Sequence, residues 1–248
     1  MSTDKSILEK WLDVVSSARF VDMTHPLEEE MPYWPTHSPF IAVVGNHQSR
    51  GDESYWRTVT LGEHAGTHID AFSHFIPGAQ NVDEIPLPRL MGRGVNIDAT
   101  DTPPRGEVPV EKILAFEREQ GPVVEGDLVF FRFGWDEKWA PGERGKAFLE
   151  NWPGTSKAAA EYLRDKKVAA VGCDTLALDR FGSPDNPSHH VLLGSGINII
   201  ENVDGLGVLP PFFGVMGLPC RLRGGSGSTL RLVALLEPAC GPVREERP

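Results

Sequence analysis

Apolar residues at positions 7, 8, 11, 14 and 15 open the chain with helical spacing, which predicts an amphipathic helix from Ile7 to Val15. The texture changes at Phe20. FVDMTHPL reads as a short strand closed by Pro26, and MPYWPTHSPF as an aromatic loop broken by prolines. IAVVG and YWRTVTLG are rich in β-formers and bracket a polar turn, the pattern of a hairpin. Further strands are predicted in GRGVNIDAT, DLVFFRFGW, VAAVGCDTLAL and TLRLVALLE. VEKILAFEREQ and TSKAAAEYLRDKK have helical spacing and feed directly into apolar strands. This alternation predicts an α/β chain on a mixed sheet, a single domain over 1–248 with 1–19 as an N-terminal helical extension.

Composition narrows the partners. Hydrophobic residues at 40% and charged residues at 24% over 248 residues suit a globular chain with a substantial core. A formal charge of -11 excludes nucleic acid, whose phosphates require a basic face. Cys173, Cys220 and Cys240 are widely spaced, so they read as reduced thiols, neither a disulfide framework nor a thiolate zinc site. The N-terminus lacks a signal-peptide pattern and no stretch approaches the roughly 18 apolar residues of a membrane span, so a cytoplasmic protein without a membrane partner is expected. RGGSGST precedes a strand where a phosphate-binding loop should open a helix, which makes it a flexible loop. There is no G-x-S-x-G nucleophile elbow.

The chemistry concentrates in LGEHAGTHIDAFSHF, which holds His64, His68, Asp70 and His74. In a strand these even-numbered residues, with Phe72, would share one face. A straight strand would nevertheless hold His64 and Asp70 roughly 20 Å apart, against metal–ligand bonds of about 2 Å. Gly66, Thr67 and Ile69 make a poor helix interior. The consistent solution is a bend at Gly66–Thr67 that folds His64 back toward His68 and Asp70. Imidazole with carboxylate suits zinc, manganese or iron. A second segment, SPDNPSHHVLLGSGINIIENV, offers the paired His189 and His190 on a short helix entered through Asn186-Pro187-Ser188 and ended by Gly194. INII then reads as a buried strand with Glu201 at its end. Tyr33 and Trp34, in the proline-bounded loop, could wall an apolar pocket for a planar ring.

HAGTHIDAFSH resembles the H-x-G-T-H-x-D-x-P-x-H signature of the metal-dependent hydrolases called the cyclase family, whose members include bacterial kynurenine formamidases and isatin hydrolases. VDMTHPLEEEMPYWP, VGCDTLALD, SHHVLLGSGINIIENV and PLPCRLRGGSGSTLRLVAL are similar to further blocks of that family, so the likeness runs over roughly residues 20 to 236. The resemblance implies His64, His68, Asp70, His189 and Glu201 as ligands of one or two divalent ions, zinc or manganese. It selects His189 over His190, and it implies His74 as the acid/base. It also implies a swivelling β/β/α mixed sheet with flanking helices, a homo-oligomer (dimer or tetramer), and hydrolysis of a C–N bond in an aryl formamide or cyclic amide. A lactone hydrolase or cyclase, or a metal or small-molecule binding protein without turnover, would use the same site. The signature proline is replaced here by Phe72. With Trp34, Phe72 is the expected selector of the small-molecule substrate.

Overall fold

The computed structural model describes residues 5–238. Cys240 and the charged C-terminal end lie outside them. The predicted opening helix, α1 (Ile7–Ser17), starts at Ser6, whose hydroxyl accepts from the Glu9 N–H while the Glu9 carboxylate accepts from the Ser6 N–H. β1 (Arg19–Asp22) follows, then the expected hairpin of β2 (Ile41–Asn46) and β3 (Trp56–Thr60), which pair only with each other. β4 (His68–Asp70), β5 (Met91–Asp98), β6 (Glu107–Val108), β7 (Leu128–Arg132), β8 (Gly154–Thr155), β9 (Ala170–Cys173), β10 (Asn198–Glu201), β11 (Phe212–Pro219) and β12 (Gly227–Leu236) complete the strands. The helices α2 (Val110–Gln120) and α3 (Lys157–Asp165) fall where the 3.6-residue spacing puts them, and α4 (Pro187–Leu193) lies between the predicted Asn186 entry and Gly194.

Eight strands form one mixed sheet in the order β1-β12-β11-β5-β7-β9-β10-β4. β5, β7, β9 and β10 run parallel, and the remaining neighbours are antiparallel. The sheet then closes, because Gly227, Ser228 and Thr229 of β12 pair with Asp70, Ile69 and His68 of β4. The farther half of the same strand edge pairs with β1, from Asp22↔Val233 to Arg19↔Leu236. The swivelling β/β/α sheet expected from the resemblance is therefore corrected to a closed, barrel-like one. A ten-residue β12 is long enough to serve two partners on one edge.

Side chains alternate across the barrel wall. Ile69, Phe130, Ile200, Leu232 and Ala234 fill one side. Val129, Phe131, Val171 and Ile199 face the other, where they pack with Ile113, Leu163, Leu192 and other helix residues. Among the described residues no helix is long and apolar enough to cross a membrane.

Candidate metal centre

The bend predicted at Gly66–Thr67 is present. Gly66 has φ +62, and a Cβ there would lie 2.6 Å from Leu27 Cδ2, so both the backbone and the packing require glycine. Beyond the bend the chain is extended for three residues only. Register places Glu201 directly opposite His68 on β4, and cross-strand partners share a face. The turn brings His64 Nδ1 to 2.7 Å from Asp70 Oδ1. His68 Nε2 stands 3.5 Å from Asp70 Oδ1 and 3.5 Å from Glu201 Oε2. From α4, His189 Nε2 reaches 3.1 Å from Glu201 Oε1 and 3.6 Å from Asp70 Oδ2. His74 stacks on His64 with ring centroids 3.9 Å apart. All six side chains are thus brought together from three separate segments.

The histidines are oriented from behind. His68 Nδ1 lies 2.9 Å from the Gly66 carbonyl, which accepts its proton and turns Nε2 toward the carboxylates. His189 Nδ1 lies 2.6 Å from Asp179 Oδ2, with the same result. Asp179 also accepts from the Ser188 and His189 N–H groups. Glu201 Oε1 accepts from the Leu178 N–H at 2.7 Å.

Charge is balanced inside the cluster. Burial favours neutral imidazole at His68, yet Asp70 and Glu201 outweigh it and push the group up to about 10. His189 is raised to about 10 in the same way, against burial, by Asp179 and Glu201. Burial would raise Asp70, but His64 and His68 hold it well below the usual carboxylate range. Burial and Asp70 push Glu201 up, and His189 and His68 more than reverse the push. His74 goes the other way: burial, helped by the neighbouring histidines and opposed by Asp70, lowers it to about 4.

These residues suit a cation. Asp70 Oδ2 is buried without any hydrogen-bond donor, a costly state for a carboxylate oxygen. Two ligands on one ion, with bonds near 2.0–2.2 Å, stand about 3–3.5 Å apart, close to the separations above. His64, Asp70 and His74 form one group of donors within 4.8 Å, and His68, Asp70 and Glu201 a second, with Asp70 common to both.

The family model described as putative cyclase matches residues 21–180. This chain belongs to the cyclase family. Its similarity continues past the matched region, which stops short of His189 and Glu201. Isatin hydrolase from Roseibium aggregatum is 26% identical over 94% of this chain and 95% of its own length. Kynurenine formamidase from Bacillus thuringiensis is 26% identical over 88% of this chain and 98% of its own. The solved isatin hydrolase bound to the product analogue thioisatinate superposes with a TM-score of 0.86 at 25% identity, covering 96% of this chain and all (100%) of that one.

Two expectations about this cyclase-family site are corrected. Strand alternation was to place Phe72 on the face of His68 and His74, but the strand ends at Asp70 and residues 72–74 form a 3₁₀ turn. Phe72 packs instead against the helix-side core, with the Arg89 guanidinium 5.5 Å from its ring. RGGSGST, expected as a flexible loop, is tied to the site: Ser226 Oγ lies 3.0 Å from His64 Nε2 and donates to Glu63. Trp34 stands half-exposed at the edge of Trp152, whose indole N–H donates to the Asp179 carbonyl.

Sequence reasoning passed over three residues. Asp179 lay in a quoted motif without a role. Phe75 has its ring 4.6 Å from that of His189 and 4.8 Å from that of His74. His37, from the proline-broken loop, sits 5.9 Å from the His64 ring. It is lowered by burial and by His64 and His68, against Asp70. The quoted loop PYWPTHSPF did contain a histidine, and that was the available signal.

Proposed function

We propose that this chain is a metal-dependent hydrolase that cleaves a C–N bond in an aryl formamide or cyclic amide, with His74 as acid/base. The observation that carries the reading is the gathering of His64, His68, His74, His189 and Glu201 around Asp70, whose Oδ2 is buried without a hydrogen-bond donor. His64, His68, Asp70, His189 and Glu201 would hold one or two ions, with zinc or manganese matching the donor set. A divalent cation in such a site supplies Lewis acidity and lowers the pKa of water toward about 7.

His74 handles the proton. Kept neutral by burial, its imidazole can take a proton from the attacking water. The water oxygen forms the new C–O bond, the C–N bond breaks, and His74 returns the proton to the departing nitrogen. A pure binding protein needs the ligands and gains nothing from this residue. Trp34 and Phe75 offer aromatic surface to a planar substrate, while Phe72 acts on the pocket from beneath through the backbone that carries His74. The relatives named for isatin and for a formamide support the substrate class. The same constellation would serve a lactone, so the test must include one. Protein loaded with manganese or zinc is assayed on N-formylkynurenine, isatin and a lactone panel, and hydrolysis of the formamide or the lactam is expected. Turnover of lactones alone would move the assignment to ester chemistry, and bound metal without any turnover would overturn it.

A further inference from the structure

Arg89 stands outside the metal cluster, on the 3₁₀ turn Leu87–Leu90 that leads into β5. Pro86 and Pro88 stiffen that turn, the Arg89 N–H donates to the Pro86 carbonyl, and Leu90 is buried. The side chain therefore leaves from a fixed base. It is half-buried, and among the described residues it has no carboxylate partner, so burial alone pulls its pKa below the ordinary arginine value. Its contacts are two neutral oxygens and a ring. Nε donates to Asn198 Oδ1 at 3.2 Å, Nη2 donates to the Gly196 carbonyl, and the guanidinium carbon lies 5.5 Å from the centre of the Phe72 ring. Withdrawing a charge from water without a counter-charge is costly, and these three contacts have to offset it.

Each contact ends on a segment that carries part of the site. Asn198 is fully buried at the start of β10, and its Nδ2 donates to the Asp70 carbonyl at 2.9 Å. A guanidinium only donates and a carbonyl only accepts, so the Asn198 amide has one orientation while Arg89 is in place. Gly196, with φ +74, forms the turn between α4, which carries His189, and β10, which carries Glu201. Phe72 opens the 3₁₀ turn that ends with His74. The signature residue at this place is proline, which fixes the backbone covalently. Ala71 still has the extended backbone (φ -78, ψ 163) that a following proline demands. Phenylalanine gives up the covalent restraint and offers a ring to the cation.

We propose that Arg89 is a positioning residue of the metal centre: its fork locks the Asp70 strand to the α4–β10 turn, and its contact with Phe72 restrains the His74 turn where the signature has proline. The effect on metal and turnover rests on the function proposed above, but the restraint itself is a property of the metal-free protein.

Arg89→Gln keeps a donor but loses the fork and the charge. It should weaken Mn(II) binding about 10-fold and lower kcat more than it raises KM. Arg89→Lys should fall nearly as far, because an ammonium is a point charge on a flexible stem and cannot hold both acceptors in one plane over the ring. Full recovery by lysine would overturn the proposal. Joined to Phe72→Pro, Arg89→Gln should cost at least about threefold less affinity than the product of the two single losses, since proline supplies the restraint that the arginine gave. Strictly multiplicative losses would count against it. In metal-free protein, either arginine variant should speed amide exchange at His74, Ile76, Gly196 and Ile197, whose N–H groups bond within the two turns, by about 10-fold or more while α2 is unaffected. Equal acceleration in α2 would mark a general loss of stability, and none at the two turns would leave nothing for Arg89 to hold; each outcome overturns the proposal. A wild-type chain that binds no Mn(II), with the local exchange response intact, would sink the proposed function and leave the positioning role standing.

Discussion

Asp179 accepts from two backbone N–H groups at the start of α4 and from His189 Nδ1, so one carboxylate sets both the helix entry and the tautomer of its histidine. Asp179→Asn keeps the size but offers one acceptor oxygen in place of two. Metal affinity is expected to fall about 10–100-fold with the fold retained, read by competition against a chromophoric chelator; unchanged affinity would remove Asp179 from the metal argument. His74→Ala should behave oppositely, keeping the metal while turnover drops on the order of 10²-fold or more. Loss of metal in that variant would make His74 a ligand of the group it forms with His64 and Asp70. The cluster of histidines was legible in the sequence because bend and ligands lie within eleven residues. Asp179 and His37 were not, since their positions follow from tertiary contacts and no local spacing encodes them.

Between elements, the fit is close where β12 passes under His64. A Cβ on Gly227 would lie 2.5 Å from His64 Cε1 and 2.8 Å from the Ile69 carbonyl oxygen. The imidazole can move but the backbone cannot. Gly227→Ala should therefore displace His64, weaken metal binding and lower the thermal midpoint together, and a variant with wild-type affinity would show that the ring has room to shift. Helices α1 to α3 were readable from apolar spacing, and α4 from its Asn186-Pro187-Ser188 entry. β11 was not. FFGVMGLP has glycines at 214 and 217, and a Cβ on Gly217 would come within 2.8 Å of Leu230, so close strand packing removed the β-branched residues that announce a strand. β4 hid for another reason: all three of its residues are buried, and three residues give no alternation to read.

At the level of the whole molecule, the metal-free site is held by its own protons. His68 and His189, raised to about 10, are charged at neutral pH, whereas a bound cation needs them neutral. Loading at pH 7 should therefore release protons, and affinity should tighten as pH rises from about 6 to 9. Calorimetry in two buffers of different ionisation enthalpy reads this, and identical heats would refute it. The same histidines stabilise the metal-free fold below the ordinary histidine pKa, and that stability is lost as pH rises through their raised values. Metal-free protein should thus weaken between pH 7 and 10 while the loaded form does not. An α/β chain on a mixed sheet was evident from the order of its segments. Closure was not, because it rests on a three-residue pairing between chain regions more than 150 residues apart.

That pairing has a consequence in time. A ribosome adding about 5–20 residues per second delivers His64, His68 and Asp70 about 7–30 seconds before Glu201 and Gly227 follow. Through that interval the first segment has neither its opposing carboxylate nor the strand that pairs with it. Specific metal capture belongs to the completed polypeptide, and the last strand made is the one that finishes the centre begun by the first.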